Sequence, residues 1–169
     1  MTQLQPTAIM PEIKRVLVPT DFSPGADAAL DWAHRMAQCF NAELVLVHAL
    51  DLSLGAAAGL PSDVAMMPAV QQLADRLREE AEADMAKLGK RYPHARRIIR
   101  EGIPRQVILD VAKAEGASLI VMGTHGRTGL AHVFFGSVAE HVVQHSRIPV
   151  LTVRYPKDES GVAPGTAAG

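Results

Sequence analysis

The sequence is short of several things, and each shortage excludes a class of function. One of its 169 residues is cysteine, Cys39. A single thiol forms no intramolecular disulfide framework and no CxxC zinc or redox site, and it suits a reducing compartment. Aromatic residues make up 4% of the chain, too few for the stacking platforms that hold single-stranded nucleic acid. There is no charge excess: 17 Lys+Arg stand against 18 Asp+Glu, for a formal net charge of -1. Nucleic-acid binding by bulk electrostatics needs a clear basic excess. No apolar run reaches the ~18 residues that cross a bilayer. Met1 to Glu12 is polar, with two prolines and no apolar core, so it does not read as a secretory signal. These absences predict a cytoplasmic chain with neither a nucleic-acid nor a membrane partner.

What is present is average in bulk, with 48% apolar and 21% charged residues. One domain is expected at this length, able to bury roughly 70% of its unfolded surface unaided. The pattern along the chain divides it into a flexible tail over 1–12, a domain over 13–155 and a disordered Gly/Pro/Ala-rich tail over 156–169. Within the domain, short β-branched runs read as buried strands: Ile13–Pro19, Glu43–Leu50, Arg96–Glu101, Ser118–Met122 and Pro149–Arg154. Helical stripes fall between them. The first has Ser23 as cap, Pro24 at its start, apolar positions from Ala26 to Phe40 and Asn41 as terminator. The second follows Pro68, with Val70, Leu73, Ala74, Leu77, Ala81, Met85 and Leu88 on one face. A third opens at Pro104. A fourth begins at Gly136-Ser137, with Val138, Val142 and Val143 inward. Asp51 to Pro68 carries two glycines and two prolines and reads as a long loop, of the kind that is usually functional or mobile.

Strands of continuous apolar character alternating with helices imply an α/β fold, a Rossmann-like doubly wound parallel sheet. With strand order 3-2-1-4-5, the order reverses between strands 1 and 4, where such folds bind ligands. Two loops then line the site, Pro19–Ser23 and Gly123–Ser137. The second reads Gly123-Thr124-His125-Gly126, nine residues, then Gly136-Ser137. Glycines let backbone N–H groups approach a phosphate closely, and a helix starting at Ser137 offers its free N–H groups and dipole to an anion. The Ser137 hydroxyl is also placed to cap that helix. GxxxxGK[ST] is missing, no lysine lies between Gly123 and Arg154, and GxGxxG does not follow strand 1. Asp21 reads either as a ligand group or as a loop residue. His48 reads as a satisfied core histidine. His141 and His145 have the i, i+4 spacing of metal ligands, but without HExxH or a third ligand they read as a surface pair.

On these residues the chain resembles the universal stress proteins, specifically their ATP-binding branch. That branch's signature, G-x2-G-x9-G-[S/T], is met by Gly123, Gly126, Gly136 and Ser137. Val16-Leu17-Val18-Pro19-Thr20-Asp21-Phe22-Ser23 is similar to the family's opening strand and loop, and Ile148 to Val153 to its closing strand. The resemblance implies a homodimer and a site for ATP, or AMP or ADP, with Mg2+ held mainly by phosphates and water. It places Asp21 near adenine and ribose, with Pro19 and Thr20 shaping that wall. Val47 would bond the adenine edge through its backbone, and Met122 and Gly123 would pack on the ribose. Gly126, Arg127, Gly136, Ser137 and Val138 would surround the phosphates, with His125 inside the same loop. The function implied is a nucleotide-dependent regulatory module in stress response, with a downstream protein partner that the sequence does not identify. Two alternatives stand beside it: a slow ATPase or phosphotransferase assisted by His125 or Asp21, and a dimeric interaction protein that binds no nucleotide. The last strand, Val150 to Arg154, is expected at a sheet edge, where unpaired backbone groups invite a second copy.

Overall fold

The computed structural model of the chain describes residues 12–52, 68–124 and 136–155. The expected tails, apart from Glu12, and most of the expected 51–68 loop lie outside the described residues. Nine elements alternate: β1 (Arg15–Pro19), α1 (Pro24–Phe40), β2 (Glu43–Leu50), α2 (Pro68–Arg91), β3 (Arg96–Glu101), α3 (Pro104–Ala114), β4 (Leu119–Gly123), α4 (Ser137–His145) and β5 (Val150–Val153). The strands form one sheet in the order β3-β2-β1-β4-β5, and every neighbouring pair is parallel. This is the expected doubly wound order, with its reversal between β1 and β4.

Side chains alternate across a strand, and here they feed two cores. Val16, Val18, Leu44, Leu46, Leu119 and Val121 face α1 and α2. Leu17, Val45, Val47, Ile120 and Met122 face α3 and α4. Strands covered on both faces need apolar residues at every position, which is why β1, β2 and β4 read as unbroken apolar runs. β3 lies at one edge and differs accordingly. Ile98 packs against one core and Ile99 against the other, while Arg96, Arg97, Arg100 and Glu101 are exposed. Charges of this kind blunt an open edge.

The first helix forms as its sequence dictates. The Ser23 hydroxyl accepts from the Ala26 N–H at 3.2 Å, Pro24 takes the first turn, and Asn41 ends the helix in the left-handed conformation at φ 51. Against α2, Asp31 accepts from the Tyr92 hydroxyl at 2.7 Å and pairs with Arg91 at 2.6 Å.

Three residues expected to face inward are exposed: Phe40 by 50%, Leu73 by 53% and Val143 by 44%. Phe40 is the last residue of α1. Leu73 lies in the first half of α2, whereas that helix's buried residues, Ala81, Met85 and Leu88, lie in the second. Val143 follows Val142 by 100° of helix rotation, so only one of the two can face the core, and Val142 with Ala139 does so. Strand limits also move by a residue or two: β1 starts at Arg15, β4 runs one residue further to Gly123, and β5 is Val150–Val153. No described helix is long and apolar enough to cross a membrane.

Candidate functional site

Where β1 and β4 diverge, their C-terminal ends open into a cleft of about 290 Å³, near the small end of ligand pockets. The end of β1 contributes Pro19, Thr20 and Asp21; β4 contributes Met122, Gly123 and Thr124; α4 contributes Gly136, Ser137, Val138 and Ala139. Val47, His48 and Ala49 enter from β2, Pro104 and Ile108 from α3, and Ala26 from α1. The topology therefore brings together nine of the expected site residues: Pro19, Thr20, Asp21, Val47, Met122, Gly123, Gly136, Ser137 and Val138. His125, Gly126 and Arg127 lie outside the described residues.

The loop after β1 is held by its own side chains. Thr20 Oγ1 accepts from the Phe22 N–H at 3.0 Å, and Asp21 Oδ1 accepts from the Ser23 N–H at 3.1 Å. These bonds hold Phe22 at φ 62, a left-handed conformation that costs a non-glycine residue about 1–3 kcal/mol. Asp21 thus shapes the loop, and it also lines the cleft. The Thr20 carbonyl accepts from His48 Nδ1 at 2.8 Å. A carbonyl can only accept, so Nδ1 carries the proton. Phe22 closes over the imidazole, with ring centroids 4.5 Å apart. His48 is a satisfied buried histidine, as expected, yet its partner is the site loop.

The second loop is pinned at both described ends. Thr124 donates to the Val153 carbonyl at 3.1 Å, and its own carbonyl accepts from the Gly136 N–H at 2.7 Å. Gly123 is required by packing, since a Cβ there would stand 2.9 Å from the carbonyl oxygen of Gly25 on α1. The capping expected of Ser137 is not observed. Gly136 is the cap residue, and no side-chain bond caps the helix. Ser137 occupies the first helical position, so its hydroxyl is one residue too far along to reach the N–H groups it would cap.

Three helices begin at this cleft, and they differ in what they offer an anion. The first turn of a helix leaves its N–H groups without intrahelical carbonyls. In α1, Ser23 caps one of them. In α3, Pro104 has no N–H, and Gln106 and Val107 donate to the Ile103 carbonyl at 2.9 and 3.0 Å. In α4, Ser137, Val138 and Ala139 keep the first-turn N–H groups, and all three residues line the cleft. Asp21 is the one carboxylate among the described lining residues. Beneath it on α1, Asp27 is held above the usual carboxylate range, first by burial, against the lowering effect of Arg91 and with repulsion from Asp31 and Asp21.

On β2, the expected Val47 lines the cleft. The Val47 carbonyl accepts from the Thr20 N–H at 2.9 Å, so Val47's hydrogen-bonding edge faces β1. In a parallel ladder, alternate residues face the same neighbour. Ala49 therefore faces the same side, but the β1 pairing has ended at Pro19↔Val47, and its backbone edge opens into the cleft. Ala49 was missed because that edge depends on where β1 stops. Thr124 was missed although it stands between the motif glycines, and Pro104 and Ile108 arrive by tertiary packing alone. His141 and His145 form no metal centre among the described residues. Their rings stack at 4.0 Å, and His145 Nδ1 donates to the His141 carbonyl at 2.9 Å.

Comparison with known proteins bears on this arrangement. The family model described as the universal stress protein family matches residues 12–154. Universal stress protein MJ0531 of Methanocaldococcus jannaschii is 34% identical over 152 residues, covering 86% of this chain and 85% of its own. Universal stress protein MJ0577 of the same organism is 35% identical over 156 residues, covering 83% and 94%. A solved structure of the MJ0577 protein superposes with a TM-score of 0.71 at 31% identity, over 87% of this chain and 99% of that one. The universal stress protein UspA of Lactobacillus plantarum superposes with a TM-score of 0.75 at 28% identity, over 85% and 99%.

Proposed function

Because this chain belongs to the universal stress protein family, we propose that its cleft binds an adenine nucleotide, with ATP (or ADP or AMP) as ligand, and that occupancy regulates the protein. The observation that carries this reading is the uncapped first turn of α4, aimed into a cleft whose opposite wall is an open strand edge. Phosphates would sit on the N–H groups of Ser137, Val138 and Ala139 and on the Ser137 hydroxyl, which makes no cap bond, where the helix dipole favours negative charge. The base would lie along the Ala49 edge, which has a donor and an acceptor to offer to adenine. Val47 would support that wall by packing. Pro19, Thr20 and Asp21 would flank the sugar, with Met122 and Gly123 beneath it. His125, Gly126 and Arg127 would complete the phosphate side.

Mg2+ fits this cleft as an ion carried by the nucleotide. One carboxylate with phosphates and water is a usual magnesium environment, and Asp21 is the carboxylate at hand. A binding role is favoured over a turnover role because the polar side chains of the β1 loop are engaged in holding the loop. Hydrolysis below ~1 per second, the lower end for ordinary enzymes, is expected. Titration calorimetry with MgATP tests the reading: saturable heat that weakens in Asp21→Ala and Ser137→Ala supports it, and no heat in the wild type refutes it.

A homodimer is part of the same proposal. β5 ends the sheet, and its residues are half-buried and uncharged, unlike the charged opposite edge. Antiparallel pairing of two β5 strands would satisfy both edges about a two-fold axis. Light scattering that gives a concentration-independent monomer would overturn it.

A further inference from the structure

Two exposed apolar side chains stand beside β5, one on each face of the sheet. Trp32 of α1 is exposed by 58% and Val143 of α4 by 44%. Their placement follows from helix rotation at about 100° per residue. Around α1, the buried residues Ala29, Leu30, Ala33 and Ala37 mark the packed face. Asp31 and His34 lie to one side of it and meet α2, Asp31 through Arg91 and Tyr92, His34 through the Tyr92 ring. Trp32 lies on the other flank, with Met36 and Cys39. Because α2 covers β2 and β3, the Trp32 flank is turned toward β5, on which α1 also packs. Met36, Leu151 and Val153 pack against one and the same core there. Around α4, Val138 shares the cleft wall with Pro104 and Ile108 of α3. Val143 is turned about 140° from Val138, away from α3 and toward the outer side of β5. The strand between them has an open edge. The Pro149 and Val153 carbonyls accept from Ile120 and Thr124 on the β4 side, so the N–H and C=O groups of Val150 and Thr152 point outward.

We propose that Trp32 is the principal side-chain contact between two copies of this chain, packed over their paired β5 strands, with Val143 making a lesser contact on the opposite face. The inference rests on the homodimer reading and deepens it. Antiparallel edge strands related by a two-fold axis continue one sheet, and the axis stands perpendicular to that sheet. Both copies therefore keep α1 on the same face. The two α1 helices flank a trough floored by the paired strands, and the Trp32 of each copy projects into it. β5 is four residues long, and so short a strand supplies little of the ~800 Å² per partner that a stable interface buries. One Trp adds about 150–250 Å². The occupant is a second copy because a patch at a two-fold axis meets its own image. Trp32, Met36, Cys39, Val143 and the residues of β5 carry no charge to repel that image. The opposite edge, β3, would set its exposed Arg96, Arg97 and Arg100 against their own copies.

Trp32 is the one tryptophan of the chain, so it reports on its own burial. The test is a dilution series of the whole protein, followed by tryptophan emission and by sedimentation equilibrium. Emission should move to longer wavelength as the dimer dissociates, along the same curve as the mass. Trp32→Ala should weaken self-association by about 30-fold or more, as truncation of an interface hot spot does, and Val143→Ala by less. Leu73→Ala, which removes a side chain of similar exposure on α2, should change nothing. Circular dichroism should show the wild-type fold in all three. Thr152→Pro removes an outward N–H of β5 and tests strand pairing separately. Emission that stays fixed while the dimer dissociates, or a Trp32→Ala dimer as tight as wild type where Thr152→Pro dissociates, overturns the Trp32 contact and leaves strand pairing intact. A dimer that Trp32→Ala dissociates and Thr152→Pro leaves tight overturns the strand pairing and the trough built on it. A wild type that is monomeric at every concentration overturns both.

Discussion

The imidazole of His48, on β2, donates to the backbone carbonyl of Thr20, at the end of β1, across 2.8 Å. This bond ties the loop that shapes the cleft to the interior of the sheet. His48→Leu leaves a carbonyl unpaired beside a buried threonine, a loss of about 1–3 kcal/mol of folding stability. MgATP affinity is expected to fall with it, because the loop carrying Asp21 loses its anchor. Denaturant unfolding and calorimetry on the same variant check both. Wild-type stability together with wild-type affinity would show that the bond anchors nothing.

Gly123→Ala should destabilise without any ligand present. The added Cβ meets the Gly25 backbone at 2.9 Å, and backbone cannot swing aside as a side chain can. A cost of about 1–3 kcal/mol is expected from such overpacking. An unchanged unfolding midpoint would mean that the first motif glycine serves the ligand and not the helix–strand contact.

Two serines at helix starts should behave oppositely. Ser23→Ala removes a cap whose hydroxyl accepts from Ala26, costing about 1 kcal/mol. Ser137 makes no cap bond, so Ser137→Ala should leave stability within about 0.5 kcal/mol while weakening MgATP binding. Equal destabilisation by the two variants would restore the capping role to Ser137.

Tyr92 gives a pH signature. Burial, then its hydrogen bond to Asp31, holds the phenol well above its ordinary value near 10. A group whose folded value is raised contributes stability that is complete below its unfolded value and is lost as pH rises through the folded one. Wild-type stability should therefore drop above about pH 10 more steeply than that of Tyr92→Phe. Unfolding curves from pH 8 to 12 compare the two; parallel declines would argue against the shift.

These sites show how far the sequence could be read. The Ser23 cap, the Asn41 terminator and the full extents of β2 and β3 follow from local chemistry, and the sheet order from the regular alternation of strands and helices, and so they were legible. That nine of the expected residues line one cleft was legible too, because strand ends and helix starts converge wherever this strand order reverses. What was not legible depends on registration between elements. The open edge of Ala49 exists because β1 stops at Pro19, and Gly123 is constrained by Gly25, ninety-eight residues earlier in the chain. Val143 and Leu73 fit an apolar pattern but stay exposed among the described residues.

The central claim is that an adenine nucleotide occupies the cleft between the Ala49 edge and the α4 N-terminus. Backbone amide NMR during a MgATP titration tests it most directly. The account predicts saturable shifts gathered at Thr20, Asp21, Ala49, Thr124, Ser137 and Val138. An unchanged spectrum, or saturable shifts gathered away from these amides, would contradict it.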